Sequence, residues 1–252
     1  MFIVNGQENK EVLIDSSFLF GRGLFETINV LEKPLFLKEH VDRINSSAKK
    51  FGINNKFNLL EVEEEVKKRN IKNKVLKLIL TDKNKILTTR ENPYNNKTYE
   101  LGFSLCISKV RRNSTSLLSF VKSVNYIENL LEKSHAKEKG FDEVIFLNEH
   151  GKITETSSSN IFFIRDEKIY TPKVQCGLLP GIIREFIINN FDVTQGSFTL
   201  GDVLKSDEIF LTNSVLGIVR VNKIENKIFK DFKQTLKIIK RYEEKIGGSY
   251  GR

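Results

Sequence analysis

The feature that most constrains what this chain can fold into is a repeated switch of hydrophobic period along its length. Gly23 to Val30 and Val75 to Thr81 carry apolar and β-branched residues at strand spacing, with Pro34-Leu35-Phe36 beginning a hairpin partner of the first. Between them, Leu37 to Phe51 has apolar residues at helical spacing and stops at Gly52, and a second helix is predicted over Leu59–Lys68. Asp82 to Tyr99 reads as a loop with one short strand at Ile86–Thr89, and a strand at about 101–108 closes this region. The pattern resumes with a helix over 125–139, strands at 143–148 and 160–164, a hairpin partner at 168–171 and a helix opened by Gly181-Ile182-Ile183. Further elements follow at 199–204, 208–212 and 218–224, then an amphipathic helix at about 230–245 and a frayed tail from Gly247. Such an order predicts a mixed α/β, α+β architecture: a small N-terminal domain over 1–107, a connection over 108–120 and a larger domain over 121–252.

At 252 residues, with 39% hydrophobic and 29% charged residues, the composition is that of a globular chain with a sizeable core. No stretch approaches the roughly 20 apolar residues of a membrane span, and Met1-Phe2-Ile3-Val4-Asn5-Gly6 reads as a strand and turn, so the expected location is the cytoplasm. The net charge of +9 raises nucleic-acid binding, but the lysines are dispersed among acids, as in Glu61 to Arg69, and form no stripe with interleaved aromatics. A mildly basic surface instead favours anionic small molecules. Cys106 and Cys176 are too few and too far apart for a zinc site or disulfide framework, and His40, His135 and His150 lack metal-site company.

Lys122 stands between the polar run Arg112 to Ser116 and the helical pattern Tyr126, Ile127, Leu130, Leu131, at a junction where a scaffold presents reactive groups. A lysine whose surroundings depress its pKa is a Schiff-base nucleophile; left solvated, it is one more surface cation. Thr154-Glu155 leads through Ser157-Ser158-Ser159-Asn160 into the apolar strand Ile161 to Ile164, which suits a ligand-facing turn.

These blocks also carry a resemblance. Val121 to Tyr126, Gly151 to Phe162 and Leu179 to Arg184 resemble three signature blocks of the class IV pyridoxal phosphate enzymes, which include branched-chain and D-amino acid aminotransferases and aminodeoxychorismate lyases. Phe20 to Thr27, His40 to Arg43 and Leu211 to Ile218 match in order, so the resemblance spans nearly the whole chain. It implies a two-domain fold type IV enzyme, a homodimer, binding pyridoxal 5'-phosphate and acting on a small-molecule amine, with Lys122 as Schiff-base residue and general base. By the same resemblance Glu155 pairs with the pyridine nitrogen, and Arg43 supplies a guanidinium to the phosphate. Gly181, Ile182 and Ile183 offer helix N-terminal amides, with Ile183 standing where relatives often carry a hydroxyl. The resemblance further implies that Thr212, Asn213 and Ser214 form a second phosphate-side turn, that Ser159 and Asn160 line the cofactor, and that Tyr126 and Asn125 are candidates to orient the lysine.

Substrate contacts are expected at Phe25, Thr27, Arg90 and Arg112. D-amino acid aminotransferases of this kind place a tyrosine at the Phe25 position and an Arg-x-His pair near Thr88–Asn92, where this chain reads Thr-Thr-Arg-Glu-Asn. Branched-chain enzymes carry Gly-Gly where Ser123-Val124 stands. The blocks most resemble the aminodeoxychorismate lyases, which eliminate pyruvate from 4-amino-4-deoxychorismate to give 4-aminobenzoate. The alternatives are a D- or branched-chain aminotransferase using 2-oxoglutarate, a catalytically dead relative, which would have lost Lys122 or Glu155, and a basic nucleic-acid module.

Overall fold

The computed structural model describes residues 1–8 and 10–248 and divides into two compact units, Met1–Pro93 with Val121–Tyr126, and Tyr94–Phe120 with Ile127 onward. In the first, strands β1 (Phe2–Val4), β2 (Gln7–Glu8), β3 (Leu24–Val30), β4 (Lys74–Leu80) and β5 (Lys85–Arg90) form a five-stranded antiparallel sheet in the order β2-β1-β5-β4-β3. Helices α1 (Ser16–Phe20), α2 (Leu37–Lys50) and α3 (Leu59–Lys68) accompany it. Because strand side chains alternate, Ile3, Leu24, Ile28, Leu76, Leu78, Leu80 and Leu87 fall on one face. Leu37, Val41, Ile44 and Ala48 of α2, at helical spacing, and Val62 and Val66 of α3 pack into the same core. Each such Val, Leu or Ile side chain contributes about 1.5–3 kcal/mol on burial.

The second face carries Phe25 and Thr27 from β3, Lys77 and Ile79 from β4, and Ile86, Thr88 and Arg90 from β5, since the register sets Phe25 opposite Ile79 and Thr27 opposite Lys77 opposite Thr88. Along the free edge of β3 runs the segment Val121–Tyr126: Phe25 N donates to Lys122 O at 2.9 Å, Val124 N donates to Gly23 O at 3.0 Å, and Leu24 bridges Ser123. Gly21, at φ 71°, lets Asn125 approach so closely that a Cβ there would collide with its amide.

The second unit is built on strands β6 (Phe103–Arg112), β7 (Glu143–Asn148), β8 (Ile153–Thr156), β9 (Asn160–Arg165), β10 (Lys168–Pro172), β11 (Val193–Gly196), β12 (Glu208–Asn213), β13 (Gly217–Ile224) and β14 (Lys227–Ile228). Their order is β11-β10-β9-β12-β13-β6-β7-β8, with β14 on β13; β10/β11, β13/β6 and β6/β7 are parallel and the other pairs antiparallel. Helices α4 (Asn96–Leu101), α5 (Ile127–Glu138), α6 (Ile182–Asn190), α7 (Leu200–Leu204) and α8 (Lys233–Ile246) complete it. Phe162 and Phe210, on neighbouring strands, stack with ring centroids 4.9 Å apart.

Several expectations need correction. Pro34-Leu35-Phe36 is not a hairpin strand: only Pro34 bridges Val30, and Phe36 takes φ 53° to start α2. β4 wins the pairing because its seven residues match β3 from end to end. The boundary at 107 falls inside β6, which continues to Arg112 because Arg111 and Arg112 pair with Leu147 and Asn148. Residues 121–126 belong to the first unit through their bonds to β3, so the expected connection over 108–120 and large domain from 121 do not match the observed units. Within the expected 82–99 loop, α4 begins on a capping box of Asn95 and Thr98, too short to show a period. Of the tail, Gly247 closes α8 at φ 64°, and residues 249–252 lie outside the described residues.

Candidate active site

In the first unit the segment beside β3 holds the Lys122 amine 4.5 Å from the Phe25 ring centroid and 5.1 Å from that of Tyr126. The two rings meet edge to face at 5.3 Å. The amine thus sits against two aromatic side chains, on a segment whose backbone is pinned to a strand.

One residue along β3, on the helix-covered face, Glu26 is 1% exposed. Its Oε1 accepts from Arg43 Nε and its Oε2 from Arg43 Nη2, both at 2.7 Å, and Oε2 also lies 2.7 Å from His40 Nδ1. Burial pushes the Glu26 carboxyl up, but the charges and hydrogen bonds of Arg43 and His40 outweigh it and hold the pKa at about 2. Burial lowers His40, against the pull of Glu26, and its Nε2 has no hydrogen-bond partner among the described residues. Glu26 escaped the sequence reading; its signal was an acid inside an otherwise apolar strand, with His40 and Arg43 one helical turn apart.

Of the expected substrate residues, Phe25, buried, and Thr27, half-buried, share the second sheet face, whereas Arg90 sits exposed at the end of β5, donating to Glu91 O at 3.0 Å. Lys77, which the sequence reading passed over within an apolar strand, lies 4.6 Å over the Phe25 ring. Arg112, in the second unit, is already committed. Its guanidinium pairs with Glu128, donates to Asn129 at 2.9 Å and lies 3.8 Å over the Phe146 ring, tying α5 to β6 and β7.

Also in the second unit, Glu155 on β8 accepts from Leu179 N at 3.2 Å and from Asn160 Nδ2 at 3.4 Å, and Asn160 Nδ2 donates to Leu179 O at 2.9 Å. The turn after Glu155 is fixed from beneath by Glu143, which is fully buried. It accepts from Ser157 Oγ at 2.5 Å, Ser158 Oγ at 2.7 Å and Lys133 at 3.2 Å. Ser159 Oγ accepts from Asn213 Nδ2 at 2.9 Å, and Asn213 Oδ1 accepts from the amides of Val215 and Leu216, which shapes the turn containing Ser214.

Two observations fit an anionic ligand group. α6 opens at Gly181 with no side-chain cap, so no side chain occupies its first amides, and a Cβ at Gly181 would collide with Asn160 Oδ1. Thr212 Oγ1 is buried without a hydrogen-bond partner among the described residues. Ile182 and Ile183 are buried, so Ile183 offers its backbone alone. No group of three or more His, Cys, Asp or Glu side chains able to hold a metal occurs among the described residues, and no helix there is long and apolar enough to cross a membrane.

A family model described as amino-transferase class IV matches residues 23–224. An aminodeoxychorismate lyase of Bacillus subtilis is 31% identical, over 89% of this chain and 87% of that protein. A D-alanine aminotransferase of Listeria monocytogenes is 26% identical over 87% of this chain and 84% of its own length. The branched-chain aminotransferase of Thermoproteus uzoniensis, solved with norvaline, matches in fold with a TM-score of 0.87 at 22% identity, covering 96% of this chain and 93% of that one.

Proposed function

Because this chain belongs to the class IV aminotransferases, a family of pyridoxal-phosphate-dependent lyases and aminotransferases, we propose that it is an aminodeoxychorismate lyase. The observation that carries this reading is the wall beside Lys122. It is the hydroxyl-free ring of Phe25, and the end of β5 presents Arg90-Glu91-Asn92 with no Arg-x-His pair to grip the carboxylate of a small amino acid.

Bound pyridoxal 5'-phosphate supplies an electron sink for charge developing on the substrate carbon. In this reading Lys122 would be the residue that holds the cofactor and moves the protons of the reaction. Its neutral amine then removes the proton from the amine-bearing ring carbon and returns a proton to the departing enolpyruvyl group. The carbon–oxygen bond to that group breaks, and 4-aminobenzoate and pyruvate together contain every atom of the substrate. No oxidant or amino-group acceptor is needed.

Glu155, held by the Leu179 amide and Asn160, would face the pyridine nitrogen and keep it protonated. In the second unit Thr212 and the amides at Gly181, Ile182 and Ile183 would hold the phosphate, with Asn213 and Ser214 shaping the adjoining turn. Ser159 and Asn160 would support that side of the ring, and Tyr126 the lysine. The apolar run Ile14, Phe18, Leu19 and Phe20, with Phe18 79% and Phe20 80% exposed, supports assembly as a homodimer.

The test is an end-product assay on the holoenzyme. Aminodeoxychorismate alone should give 4-aminobenzoate and pyruvate with no added 2-oxoglutarate. Acceptor-dependent conversion of D-alanine or L-leucine, with no aminobenzoate formed, would overturn the lyase assignment in favour of an aminotransferase.

A further inference from the structure

Lys77 is a half-buried cation on an interior strand, β4, and its nearest neighbours on that sheet face are neutral or positive. Thr27 and Thr88 flank it across β3 and β5, Ile79 and Val75 share its face along β4, and Arg90 pairs with Val75 at the end of that face. Its amine lies 4.6 Å from the centroid of the Phe25 ring, the same ring that has the Lys122 amine at 4.5 Å. No carboxylate of the described residues forms an ion pair or hydrogen bond with it. Burial, reinforced by the charge of Arg90, pulls its pKa below the usual lysine value.

An uncompensated cation is costly in such a place, and the counter-charge has to come from outside the sheet. The other two expected arginines are poorly suited to supply the contact. Arg112 is consumed by Glu128, Asn129 and Phe146, and Arg90 is exposed at the strand end, where water screens it.

We propose that Lys77, rather than Arg90 or Arg112, binds a carboxylate of the substrate, holding it over Phe25 beside the Lys122 amine. The proposal rests on the lyase reading for the identity of the substrate, an amine that also carries a carboxylate. The geometry itself requires only an anionic ligand whose amine end reaches Lys122. Thr27 and Thr88, one on each side of Lys77, offer hydroxyls to the same carboxylate.

The test compares Lys77→Met and Lys77→Arg with the parent as holoenzymes. With aminodeoxychorismate, Lys77→Met should raise KM at least about tenfold with kcat within about threefold, and Lys77→Arg should restore KM, as expected when one partner of a desolvated charge pair is removed and replaced. Binding is also read without turnover, from the cofactor's visible band during titration with 4-aminobenzoate and with 4-aminobenzamide. The parent should prefer the acid by about tenfold or more, and Lys77→Met should bind both alike. Thermal midpoints should not fall in Lys77→Met, because an isosteric apolar side chain replaces an unpaired cation.

If the parent makes no aminobenzoate yet shows the Lys77-dependent preference for the acid, the lyase reading fails and the carboxylate site stands. KM and acid preference within about twofold of the parent in Lys77→Met would overturn the proposal. So would borohydride reduction fixing the cofactor on Lys77.

Discussion

Glu26→Gln isolates the electrostatics beneath the β3 strand. The carboxylate is 1% exposed, binds Arg43 through both oxygens at 2.7 Å and lies 2.7 Å from His40 Nδ1, so the amide keeps its shape and removes its charge. The fall of the Glu26 pKa from 4.5 to about 2 corresponds to about 3 kcal/mol of preferential stabilisation of the charged form. Breaking a buried pair on one side costs a similar 3–5 kcal/mol or so, because the guanidinium is left without its counter-charge. Urea unfolding of the chain at pH 7, followed by far-ultraviolet circular dichroism, should therefore show a midpoint lower by about 1 M in the variant.

The pH dependence gives an independent arm. Since the folded pKa lies below the unfolded one, the unfolded chain binds more protons between them. The Glu26 contribution is present above pH 4.5 and is lost as pH falls toward about 2. The gap between parent and variant should be full at pH 7 and shrink below pH 4.5. Coincident midpoints at pH 7, or a gap unchanged at pH 3, would refute the reasoning.

Two further outcomes concern the proposed chemistry. Lys122→Ala should abolish turnover and the borohydride-reducible cofactor adduct while far-ultraviolet dichroism stays at the parent level, because the segment is held by its backbone bonds to β3 rather than by the amine; a retained adduct would put the anchor on another lysine. Glu155→Gln should keep the adduct but slow turnover by about two orders of magnitude, and a rate within about threefold of the parent would remove Glu155 from the ring nitrogen.

Much of the architecture was legible because it depends on local periodicity. The helix at Leu59–Lys68 has its predicted ends since Asn58 caps it and the apolar positions Val62 and Val66 sit one turn apart. The strands expected at 143–148 and 208–212 were readable as apolar runs because both of their faces are buried. Lys122 and Glu155 stood out because polar turns beside apolar elements mark presented groups, and the ordered blocks added the family.

What the sequence by itself determined, then, was the order of elements, the family and the place of Lys122 in a junction. The tertiary structure decided how distant segments pair: that 121–126 lies along β3, that β4 displaces 34–36 as the partner of Gly23 to Val30, and that β6 runs through the expected connection. It also decided which charges are spent and which remain. Arg112 is bound up by α5 and Phe146, Glu26 is caught between His40 and Arg43, and Lys77 stands uncompensated beside Phe25. Those outcomes depend on cross-strand register and on burial, long-range properties that no window of neighbouring residues encodes.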